Sequence, residues 1–109
     1  MTKKYDKLVR DLVPEWCASN GTKAKTRIAE SGEEFIAYLK KKVVEEAEEV
    51  AKAENIEEVK KELADLMEVF LTLQKEIDHS SEELKRLRAD KNKKRGAFTK
   101  RIILESTEE

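Results

Sequence analysis

Two apolar stripes with helical spacing, separated by one polar break, constrain the fold of this chain more than any other feature. Ile36, Leu39, Val43, Ala47 and Val50 recur at the three- and four-residue intervals of one helix face. After Glu54-Asn55, the residues Val59, Leu63, Leu66, Phe70, Leu73 and Ile77 do the same. Two such stripes so close in sequence bury one another as an antiparallel hairpin. The pattern therefore predicts long helices over 33–53, opened by Ser31-Gly32-Glu33-Glu34, and over 56–77.

The rest of the chain fits that frame. Pro14 suits the first turn of a short helix that ends near Asn20-Gly21. Ser80 or Ser81 with Glu83 reads as the start of a helix over 81–95, which Gly96 stops. Thr22–Ala29 and Ala97–Leu104 lack a helical period, so short extended segments that pair with one another are expected near 23–28 and 97–104. Charged residues make up 43% of the 109 and hydrophobic ones 39%, with three Gly and one Pro, which favours helices over sheet. The expected fold is all-α, an antiparallel helical hairpin or bundle, in one domain over 1–109. A chain of this length is near the size at which self-association adds useful buried surface.

The acids on the two long helices are not spread at random. Glu45-Glu46-Ala47-Glu48-Glu49 lies on the first and Glu62-Leu63-Ala64-Asp65 on the second. At about 100° per residue, Glu46 falls inside the apolar stripe of its helix and Glu49 on the same edge, whereas Glu45 and Glu48 point more nearly to the opposite face. Glu62 falls inside the second stripe and Asp65 at its border. With Asn55 as the pivot, a rise of about 1.5 Å per residue puts both pairs at the same height, roughly 12 Å from the turn. Four converging carboxylates left unpaired would repel one another and lose solvation. Raised pKa values, salt bridges to Lys or Arg, and a divalent metal are the available remedies. Metal is the favoured one, and all-oxygen ligation points to Mg²⁺ or Mn²⁺.

E-E-x-x-E followed by E-x-x-D across a helical hairpin resembles the signature of the MazG-like nucleotide pyrophosphohydrolases. Lys42-Val43-Val44-Glu45-Glu46-Ala47-Glu48-Glu49-Val50 looks most like the phosphoribosyl-ATP pyrophosphohydrolase-like branch of that superfamily. Tyr5–Glu15 and Lys94–Leu104 agree with it, so the resemblance covers most of the chain. It implies a Mg²⁺-dependent enzyme, with Mn²⁺ as an alternative ion, that cleaves a nucleoside triphosphate or related nucleotide between the α- and β-phosphates. The products are a monophosphate and pyrophosphate. Carried over residue by residue, Glu46, Glu49, Glu62 and Asp65 are the implied metal ligands, and Glu45 and Glu46 the implied catalytic carboxylates. Two departures bear on substrate choice: Leu12 stands where the family often has Lys, and Gly96-Ala97 where a Gly-Gly pair is common.

Lys7 and Arg10 near the start, and Arg95, Lys100 and Arg101 near the end, are candidate phosphate contacts. Trp16 and Phe98 read as packing residues and His79 as a surface residue. The single Cys17 excludes an intramolecular disulfide and fits a reducing compartment. No apolar run is long enough to span a bilayer and no signal-peptide pattern opens the chain, so a cytoplasmic protein without a membrane partner is expected. The basic stretch 85–101 is interrupted by acids such as Asp90 in a chain of net charge −1, so no nucleic-acid partner is expected. A homodimer or higher homo-oligomer is. The competing reading is a non-catalytic helical interaction module, whose charges only stabilise paired helices.

Overall fold

The computed structural model describes residues 1–109 and contains four helices and no strand: α1 (Val13–Ser19), α2 (Gly32–Lys52), α3 (Ile56–Ile77) and α4 (Glu82–Arg95). The chain forms two compact units, Met1–Ile77 and Asp78–Glu109. The all-α expectation and the placement of the helices hold. The paired extended segments do not, because neither 23–28 nor 97–104 forms a ladder. Arg27, within the first of these segments, is instead held by the side chains of Glu34 and Tyr38.

Local chemistry sets each boundary of the first unit. Asn20, Gly21 and Thr22 close α1: Thr22 N–H donates to the Cys17 carbonyl at 2.9 Å and Gly21 N–H to Ala18 at 3.1 Å. Gly21 takes the φ of +75° that this closure requires, a conformation cheap only without a Cβ. Ser31 caps α2, its Oγ accepting from Glu34 N–H at 3.1 Å, while Glu34 reaches back to Glu30 N–H at 2.8 Å. The same reciprocal arrangement opens α3. Asn55 Oδ1 accepts from Glu58 N–H, and Glu58 accepts from Glu54 N–H, both at 2.9 Å. Acids in the first turn and a lysine in the last of α2 and α3 complement their dipoles.

Helices α2 and α3 pack on one another, with Leu39 and Val69 buried in the seam. The apolar arc of α3 is too wide for one partner. Leu66, Val69 and Leu73 turn toward α2, whereas Leu63, Met67 and Phe70, set about 40–100° further round the wheel, stay 45–60% exposed. Phe70, Leu63 and Ile77, expected in the core, therefore lie in the open. Ala47 and Val44 of α2 are exposed as well. In an antiparallel pair, arcs displaced in the same rotational sense lie on the same side, so these residues share one apolar side of the hairpin.

In the second unit Ser81 precedes α4 in the left-handed region, with φ of +64°, and makes no side-chain cap. Asp78 supplies it instead, accepting from Leu84 N–H at 2.9 Å, with Ser80 Oγ accepting from Glu82 N–H at 3.4 Å. Gly96, with φ of +81°, ends the helix. Apart from its two leucines and Ala89, α4 is polar all round and buries no residue.

Candidate metal centre

The hairpin brings together three of the four expected ligands. One carboxylate oxygen each from Glu46, Glu62 and Asp65 lies within 4.8 Å of the others, and all three residues are half-buried. Bonds of about 2.1 Å to an octahedral Mg²⁺ set neighbouring oxygens about 3 Å apart and opposite ones about 4.2 Å apart. Small side-chain rotations close that difference, and an all-carboxylate donor set suits Mg²⁺ or Mn²⁺. The residues fit such an ion. Glu49 is not part of this convergence. It is exposed and lines a shallow depression with Lys52, Ala53, Glu58 and Glu62 nearer the turn. Three residues advance a helix by about 300°, so Glu49 is rotated about 60° away from Glu46 and off the α3-facing side.

Three cations stand against these acids. Arg10 Nη2 donates to Asp65 Oδ1 at 2.9 Å. Lys42 Nζ lies 2.5 Å from Glu45 Oε2 and 3.7 Å from Glu46 Oε1, and Lys7 Nζ lies 3.3 Å from Glu45 Oε1. Glu45 is therefore not turned to open solvent, as its place on the wheel implies. The N-terminal segment covers that face of α2, and the wheel of an isolated helix carries no knowledge of a segment 38 residues away.

These surroundings push the neighbouring carboxyls in opposite directions. Burial raises Glu46, opposed by Lys42 and reinforced by the charges of Asp65, Glu45 and Glu62. Lys42, and to a smaller extent Lys7, hold Glu45 below the usual carboxylate range against its own loss of solvation.

A small cavity lies beside this cluster, lined by Lys7, Leu8, Tyr38, Lys41, Lys42 and Glu45. Of its three lysines, Lys7 and Lys42 are paired with Glu45, and Lys41 Nζ lies 5.0 Å from the Tyr38 ring centre. The segment that brings Lys7 and Arg10 here is fastened a second time by Tyr38, whose hydroxyl donates to Asp6. Tyr38 also receives Arg27, which grips Glu34 through two bonds of 2.8 and 3.0 Å. Lys41, Lys42 and Tyr38 were not among the expected site residues. Lys42 was readable, because its spacing of three to Glu45 and four to Glu46 is the reach of a helical ion pair. Arg95, Lys100 and Arg101 belong to the second unit, where all three are exposed. No family model, no curated protein and no solved structure matches this chain.

Proposed function

We propose that the chain is a Mg²⁺-dependent nucleotide pyrophosphohydrolase, built around Glu46, Glu62 and Asp65 and acting as a homo-oligomer. The observation that carries the reading is the meeting of those three carboxylates across two helices, beside a cavity lined by cations. Half-buried acids so placed are costly to a fold unless they serve a positive ligand. Cations adjoining them on the other side serve a negative one. A nucleoside triphosphate with its divalent ion presents both charges at once.

When bound, the ion supplies charge neutralisation to the phosphates and to the leaving pyrophosphate. The chain supplies the rest. Lys7, Lys41 and Lys42 steady phosphate oxygens, and Arg10 adds a planar guanidinium suited to two of them. Water attacks the α-phosphorus, and the bond from that phosphorus to the oxygen bridging to the β-phosphate breaks. The electron pair leaves with pyrophosphate. A carboxylate of the cluster not committed to the ion takes the proton of the attacking water, and Glu45 keeps Lys7 and Lys42 in place.

Self-association follows from the side of the hairpin that carries Val44, Leu63, Met67 and Phe70, each at least 45% exposed. A second copy of the hairpin carries the same side, and pairing the two would bury both.

Pyrophosphate release over a panel of nucleoside triphosphates and phosphoribosyl nucleotides, with Mg²⁺ or Mn²⁺, tests the activity. Glu46→Gln and Asp65→Asn should each lower the rate more than about a hundredfold, beyond the range found for residues that only support a ligand. A wild-type chain that releases no pyrophosphate from any of them, or variants that keep full activity, would remove the enzymatic reading. The non-catalytic interaction module would then stand.

A further inference from the structure

We propose that Arg10 is a shared counter-cation, held by Asp65 and transferable to the phosphate chain of the ligand, so that divalent-ion binding and polyphosphate binding strengthen one another. This inference rests on the functional reading above and assigns one residue a role within it.

The contact itself is the first reason. Arg10 uses one nitrogen on one oxygen of Asp65, and its side chain is 60% exposed. A guanidinium carries five N–H donors in a rigid fork, so this grip leaves most of its capacity unspent. Arg10 also lies before α1, outside any helix. Its carbonyl accepts from Val13 N–H at 3.0 Å, so its backbone is fixed at the start of α1 while its exposed side chain can change partner without moving a helix.

The second reason is charge. Asp65 belongs to the converging carboxylates, so a divalent ion shared by them competes with the guanidinium for the same acid and repels it at short range. An anion arriving with the ion reverses the balance, because phosphate oxygens offer Arg10 a two-bonded partner better than its single bond to Asp65. Lys42 and Lys7 stand toward Glu45 and Glu46 in the same relation. Lys42 is only 15% exposed, however, and its removal leaves the half-buried Glu46 without its ion pair. Arg10 is the cleaner probe.

The geometry separates this role from a simpler one. If Arg10 only orients Asp65 as a ligand, its loss weakens ion binding; if it competes for Asp65, its loss tightens it. Mn²⁺ binding followed by electron paramagnetic resonance without any phosphate compound is the first measurement. Arg10→Gln should bind Mn²⁺ about two- to fivefold more tightly than wild type, the range set by an exposed ion pair. Arg10→Lys, which keeps the charge, should stay near wild type. The second measurement is binding of inorganic tripolyphosphate at saturating Mn²⁺, which Arg10→Gln should weaken about fivefold or more.

Because Arg10 is exposed, these variants should keep the wild-type circular dichroism spectrum. Unchanged or weaker Mn²⁺ binding in Arg10→Gln, or unaltered tripolyphosphate binding, would overturn the shared role while leaving the metal site standing. A wild-type chain with no saturable Mn²⁺ binding would overturn both this inference and the functional reading beneath it.

Discussion

The two sides of the α2–α3 hairpin are built from the same helices and meet opposite fates. On one side, Glu46, Glu62 and Asp65 converge and the N-terminal segment lies across them through Lys7 and Arg10. On the other, Val44, Leu63, Met67 and Phe70 stand open. The charged side is covered and the apolar side is not, the reverse of what hydropathy alone would arrange. The difference teaches that coverage within this chain follows specific ion pairs, while burial of its apolar surface is left to contacts the hairpin does not make with itself.

The strongest way to break the contrast is to charge the open side. If copies of the chain meet through this side, Leu63→Lys together with Phe70→Lys should leave a monomer by sedimentation velocity, raising the dissociation constant more than about thirtyfold. An unchanged sedimentation coefficient at micromolar protein would show that this side is not where copies meet.

A smaller effect is expected on the acid side. Burial raises the Glu46 carboxyl, so its ionised form weighs against folding above the ordinary carboxylate range. Glu46→Gln removes that cost. Without divalent ions it should raise the thermal midpoint by about 2–4 °C near neutral pH. The gain should fade as pH falls and wild-type Glu46 takes up its proton. A lower midpoint in this variant at neutral pH would mean that Lys42 already compensates the charge.

The smallest effect concerns the fastening of 22–29 to α2. Arg27 holds Glu34 at about 2, below its ordinary 4.5. A depressed folded value stabilises above the unfolded one, so the contribution is complete above about pH 4.5 and disappears as pH falls toward 2. Urea midpoints of wild type and Glu34→Gln should differ at neutral pH and converge at the acid end. A gap that stays constant down to pH 2 would show that the Glu34 charge is not what fastens this segment.

Helix boundaries were legible because capping is local. Ser31, Asn55 and Gly96 each act within a few residues, and the sequence records that directly. The meeting of Glu46 with Glu62 and Asp65 was legible for a similar reason, since a short turn and a fixed rise per residue leave little freedom. What escaped reading lies across longer distances. The cover over Glu45 comes from Lys7, and periodicity within α2 contains nothing about it. The divided apolar arc of α3 escaped for another reason: a stripe of Leu66, Phe70, Leu73 and Ile77 reads as one face whether it meets one neighbour or two. Glu49 was grouped with Glu46 by spacing, although three residues fall short of a full turn.

The link Ala53–Asn55 between α2 and α3 is three residues long and bonded at both Asn55 and Glu54. It acts as a gauge. One residue added or removed in the first turn of α3, just beyond this link, would shift the rest of that helix against its caps by about 1.5 Å and turn it by about 100°, enough to separate Glu62 and Asp65 from Glu46. Surface connections ordinarily tolerate changes of length; here an indel of a single codon would do more harm than most substitutions elsewhere.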